Sequence, residues 1–259
     1  MSALWESLVS IRSWFRRDPE QARFLTRESL RWVIRNRAFT PWYLVRYLRL
    51  LRLRVSRPQV VLRGMVFLDR GVSIECRAGH GRLELGRWVH VGAGTAVRCH
   101  EGSLRIGDKA VLAQRVTVNC YLDVEIGAAS LVADGVYVCD FDHVTTDPHR
   151  PIKDQGIVKT PVRVGEDCWL GTKATVLRGS RIGRGSVVGA NAVVRGELPP
   201  YAVAAGIPAR VVRRRVPDGP AGGGDEATGG SAGGGAEGTG GSAAGGAGAE
   251  GVAGTPVAG

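Results

Sequence analysis

No apolar run in this 259-residue chain approaches the roughly 18 to 20 residues that a membrane-crossing helix needs, and no leader with a cleavage site is legible at its start. A cytoplasmic protein is therefore expected, with residence on the inner face of the membrane as the alternative. Cysteine is scarce: Cys76, Cys99, Cys120, Cys139 and Cys168 form an odd set without a CxxC pair, which favours a reduced compartment over a disulfide framework. Acids are scarce at one end, where residues 1–60 set thirteen Arg against Glu6, Asp18, Glu20 and Glu28, a net +9 of the chain's +11. Such a basic face suits nucleic acid, anionic lipid or an anionic ligand. Nucleic acid is not expected, because none of its recognition motifs accompanies the charge. Residues 217–259 lack aromatics, Lys and Arg; this Gly/Ala-rich tail is expected to be disordered, because it cannot bury enough apolar surface to offset its ordering entropy.

What the chain does have is a period. From Val124 to Leu198 an aliphatic recurs every six residues: Ile126, Val132 and Val138, then Val164, Leu170, Val176, Ile182, Val188 and Val194. It is usually followed by Gly and, four places on, by Ser130, Val136, Cys168, Ala174, Ser180, Ser186 or Ala192. Each short strand of such a hexad can bury its aliphatic only by stacking on the next coil, so the pattern predicts a parallel β-helix with eighteen residues per coil. Extended backwards, it registers coils at Leu62, Leu68, Ile74, at Leu85, Val91, Val97, and at Ile106, Leu112, Val118, giving about six coils. On that register Cys76, Cys99 and Cys120 form a stacked row, read as a surface row. The segment from Val144 to about Pro161 falls out of the period and is read as a long loop at a coil corner.

Three domains are expected: a basic helical segment over 1–58, the β-helix over 59–216, and the tail over 217–259. Within the first, helices are predicted over 4–15, over 22–39 after a break near Asp18-Pro19, and from Pro41 to about Val55. They cap the first coil, or rest on anionic lipid with aromatics on one face and Arg on the other.

His143 closes the hexad VCDFDH where the loop departs, flanked by Asp140 and Asp142, and Asp142 joins it as a catalytic candidate. A histidine with an ordinary pKa is the usual general base for a hydroxyl. Asp123 closes the preceding coil's hexad and should lie one coil below His143, where a carboxylate could orient the imidazole as in a triad; a solvated turn aspartate is the competing reading. Asn119, Asp140 and Gln155 are the candidates for binding an acceptor.

The motifs CDFDH, RPIKDQG, PVRVGEDCWLG and GANAVVRGELPPYAVAAGIPARVV make residues 62–215 similar to the hexapeptide-repeat acyltransferases, most of all the maltose and galactoside O-acetyltransferase branch. The resemblance implies a left-handed β-helix, a homotrimer with sites in the clefts between subunits, acetyl-CoA as donor, and a sugar or glycan hydroxyl as acceptor. By the same resemblance His143 is the catalytic base, Trp169 and Thr172 lie beside the CoA arm, Ala190 touches pantetheine through its backbone, and Arg213 meets the nucleotide end. Where the family often has Thr-Lys before Asp-Ile-Pro-Pro, this chain reads from Arg195 to Pro200, and Arg195 is the substitute for holding phosphate. Many relatives read Asp-His-Asp-His where this chain has Asp140-Phe141-Asp142-His143.

Three other readings remain. N-acetyl transfer to an amino sugar and a non-enzymatic β-helix scaffold both suit the coil. A hexapeptide-repeat carbonic anhydrase fits poorly, because His80, His90, His100, His143 and His149 do not register as three zinc ligands; no metal is expected.

Overall fold

The computed structural model describes residue 21 and residues 26–215. Three sheets of seven, eight and six strands form the faces of a β-helix, with parallel neighbours coming from successive coils; only the last strand of the eight-stranded sheet is antiparallel. The register follows the hexads. Leu62, Leu85, Ile106, Ile126, Val164 and Ile182 lie in line on the first face. Leu68, Val91, Leu112, Val132, Leu170 and Val188 do so on the second. Ile74, Val97, Val118, Val138, Val176 and Val194 do so on the third. All eighteen are buried, and each contributes roughly 1.5 to 3 kcal/mol by leaving water.

The other hexad positions follow from coil geometry. A Cβ on Gly127 would stand 2.4 Å from the carbonyl carbon of Gly165 on the next coil, so the residue after the aliphatic must be small there; on the third face, where Asn119, Leu177 and Arg195 follow the aliphatic, it need not be. The small residues four places on are buried, and the hydroxyls among them are satisfied: Ser180 donates to the Val194 carbonyl at 3.0 Å and Ser186 to that of Pro199 at 2.9 Å. After most first- and second-face strands the residue three past the aliphatic turns the corner at positive φ, and many of these are not glycine: Trp88, Lys109, Ala129, Asp167, Lys173 and Asn191.

Cys76, Cys99 and Cys120 stack in register as expected, but the row is buried, which corrects the surface reading. Cys76 donates to the Gly81 carbonyl and Cys120 to that of Ser103, each at 3.2 Å, so the row points inward at the turn onto the next face. A partial seventh coil, Glu197–Leu198 and Ala202–Ala205, ends the stack, and Arg210–Arg214 pairs antiparallel with its second strand.

At the other end, helix α1 spans Arg27–Arg35 and α2 spans Pro41–Ser56. The Thr26 hydroxyl accepts the Ser29 N–H at 3.0 Å, so α1 starts there and is shorter than the 22–39 predicted. Pro41 opens α2, where its missing N–H costs nothing. Leu50 and Leu53 of α2 join the core, and Trp32 of α1 packs on Phe67 and Trp88 with ring centroids 5.2 and 5.0 Å apart. Trp42 stays exposed, with the Arg46 guanidinium 3.4 Å from its ring centre on the way to Asp69, which it meets at 2.5 Å. The helix predicted over 4–15, the break near Asp18-Pro19, Trp5, Trp14 and the tail lie outside the described residues.

Candidate active site

The corner after Cys139 is where the chain leaves the coil. Phe141–His143 runs antiparallel to Ile157–Lys159, His143 facing Ile157, and a single 3-10 turn, Ile152–Asp154, lies between them. The expected loop is therefore a β-hairpin. Its root is held by Asp140, which is fully buried and whose carboxylate accepts the backbone N–H groups of Tyr121, Leu122 and Asp123 at 2.8, 2.7 and 2.8 Å. Asp140 ties the outgoing strand to the coil below. This corrects its assignment to the acceptor, since its oxygens are already spent on the backbone.

Asp123 is corrected as well. Hexad counting puts it under His143 only if both coils turn the corner alike; here the lower chain turns onto the first face while the upper one departs into the hairpin. Asp123 accordingly pairs with Ser103 in register, and its carboxylate meets Arg163 and, at 3.4 Å, Arg105. It orients two arginines of the first face, not an imidazole.

His143 itself is exposed at the hairpin root, its ring edge-on to Phe141 at 6.3 Å. Phe141 meets Tyr121 edge-on at 4.6 Å, and Tyr121 stacks on His100 at 4.6 Å, so a row of rings climbs three coils to His143. Lys159, opposite Phe141, bonds Glu101 at 2.5 Å and holds that carboxyl below the usual carboxylate range. Asp142 accepts from Arg178 Nε at 2.5 Å, and Arg178 also donates to the Thr160 hydroxyl at 3.3 Å, which clamps both hairpin strands to the coil above. Asn119 stands one coil below the root, opposite Cys139, and donates to the Tyr137 hydroxyl at 3.4 Å. Burial pushes that phenol's pKa up and keeps it neutral. Gln155 folds the hairpin tip on itself, accepting from Asp147 N–H and donating to the carbonyls of Asp147 and Arg150. Arg178, Tyr121 and Lys159 carry no hexad signal; only the pairing of the hairpin brings them in.

The residues assigned to the donor divide in two. Trp169 is half exposed on the second face and lies in one register row with Val187, Val203 and Arg213. At about 4.8 Å per strand that row runs roughly 14 Å from indole to guanidinium. Thr172 and Ala190 occupy equivalent exposed turns of successive coils beside it, and the Thr172 carbonyl accepts the Asn191 N–H at 2.9 Å. Arg195 stands apart, one residue past Val194 at the far edge of the third face. That is the edge from which the hairpin leaves. Within one chain, His143 and the Trp169 row therefore flank the third face on opposite edges.

Residues 161–196 match the family model "Bacterial transferase hexapeptide (six repeats)". Over 199 residues the chain is 57% identical to "Probable acetyltransferase Rv3034c" of Mycobacterium tuberculosis, covering 77% of this chain and 66% of that protein. It is 37% identical over 112 residues to "Putative lipopolysaccharide biosynthesis O-acetyl transferase WbbJ" of Escherichia coli, covering 38% of this chain and 57% of the relative. The chain thus spans no more than about two thirds of the length of these curated relatives. Among solved structures, AntD, an N-acyltransferase from Bacillus cereus in complex with dTDP and 3-hydroxybutyryl-CoA, superposes with a TM-score of 0.54 at 17% identity over 64% of this chain and 88% of that one, a likeness of fold.

Proposed function

We propose that this chain, which belongs to the bacterial hexapeptide-repeat transferase family, moves an acetyl group from acetyl-CoA to a hydroxyl of a sugar or glycan precursor, with His143 as general base. One observation carries the reading: the chain leaves its coil at the corner where His143 stands exposed on a hairpin strand braced by Asp140 and by Arg178. A relative named as an acetyltransferase, and another named for O-acetyl transfer in lipopolysaccharide biosynthesis, support the chemistry and the class of acceptor.

His143 takes the hydroxyl proton as the acceptor oxygen attacks the thioester carbonyl; backbone N–H groups of the cleft stabilise the oxyanion, and the proton passes to the leaving thiolate. No protein nucleophile is needed. The strip from Trp169 to Arg213 suits the donor, with an aromatic surface and small turns for the thin arm and a guanidinium for phosphate at the end. Because that strip and His143 flank opposite edges of the third face, a complete site takes His143 from one subunit and the strip from a second copy, as in a homotrimer.

His143→Ala should lower kcat by roughly 10² to 10⁴ and leave the KM for acetyl-CoA unchanged. The readout is thiol release from acetyl-CoA across a panel of sugar and glycan acceptors, with alkaline lability of the product identifying an ester. Wild-type turnover in the variant would remove the assignment.

A further inference from the structure

Helix α2 carries two stripes of the same spacing. Arg46, Leu50 and Leu53 face the first coil and are buried. Leu44, Leu48 and Leu51, offset by two residues or about 200° of helix rotation, are 51, 64 and 57% exposed. A helix that only caps needs the first stripe. On α1, Leu30 and Ile34 are likewise about 60% exposed, at 61 and 59%. Leu30 and Leu51 line one open cleft of about 900 Å³ between the helices, floored by Val33, Tyr47, Leu50 and Met65. The outer apolar stripes thus adjoin. They are set in charge of one sign, since residues 26–57 hold nine Arg against the single acid Glu28.

We infer that this outer face of α1 and α2 docks on an anionic lipid bilayer. The apolar stripes enter the interface, and arginines beside them such as Arg31, Arg35 and Arg52 meet lipid phosphate. Charge selects this occupant over two others. A second copy laid on the same face would bring nine Arg against nine, and residues 1–25, with Arg12, Arg16, Arg17 and Arg23 against Glu6, Asp18 and Glu20, offer little opposing charge. No helix among the described residues is long and apolar enough to cross a membrane, so the contact is peripheral. The inference does not depend on the proposed chemistry and is tested without it.

The full-length protein is co-sedimented with vesicles of phosphatidylcholine alone and with about one third phosphatidylglycerol, at low and high salt. Binding should need the anionic lipid and weaken with salt. Leu44→Glu/Leu48→Glu should abolish it, and Arg31→Gln/Arg52→Gln should lower the partition coefficient about 25-fold, roughly fivefold per arginine. Both variants should keep the wild-type Tm and elution volume. Absence of binding, or binding that survives Leu44→Glu/Leu48→Glu, overturns the inference. So does a changed elution volume or a fall of several degrees in Tm for that variant, because either would show that protein already covers the face.

Discussion

Asp140 and His143 are three residues apart in one short motif, and the structure gives them opposite work. The Asp140 carboxylate is sealed in and accepts three backbone N–H groups of the coil below. Asp140→Ala leaves those donors buried without partners, at about 1 to 3 kcal/mol each. We expect a loss of at least about 3 kcal/mol in denaturant unfolding, and a change below about 1 kcal/mol would show that water takes over the role. His90 illustrates a different residue-scale effect. Its ring lies 4.5 Å from that of Phe67 at a tilt of 34°, and burial, with Arg46 adding to it, lowers its pKa below the ordinary histidine value. The unfolded chain then binds the proton more readily than the folded one. Stability is complete above the unfolded pKa and falls as pH drops through that value toward the folded pKa, by at most about 1.4 kcal/mol per pH unit. His90→Phe keeps the ring contact and should show a shallower decline in Tm between neutral and mildly acidic pH; parallel curves would mean another group is responsible.

At the scale of the coil, spacing between turns is set by backbone touching backbone. Gly127→Ala would drive a methyl to within 2.4 to 2.5 Å of three backbone atoms of Gly165 and Glu166, which cannot rotate away. A cost of about 1 to 3 kcal/mol is expected. Gly79→Ala meets open space and suffers only from its φ of +77°, so it should cost about 1 kcal/mol. Chemical denaturation of the two variants side by side checks the order. The hairpin is the other element that matters, because it converts an interruption of the repeat into a braced arm: Asp140 holds its root to the coil below and Arg178 clamps it to the coil above.

For the molecule as a whole, the hexad period made the six coils and their register legible, since triplets of aliphatics six residues apart, eighteen in all, have only one way to stack. Counting failed where the chain stopped obeying the count. Past Cys139 the hairpin takes the strand out of the coil, so Asp123 and His143 share a hexad position without sharing a place. Pairing partners such as Arg178 and Lys159 are set by an antiparallel hairpin whose register a six-residue period does not encode. Corner residues at positive φ such as Trp88 and Asp167 were equally hidden, because the coil imposes on them a conformation that their side chains do not advertise. The cysteine row has one more consequence. All five thiols of the chain are buried, and bonding to Cys120 and Cys76, with burial, pushes the Cys99 thiol far up, away from the reactive thiolate. An oxidant meeting the folded chain finds none of these thiols at the surface, so oxidised cysteine in this protein would be a scar of molecules that had opened, a record of damage and not a signal.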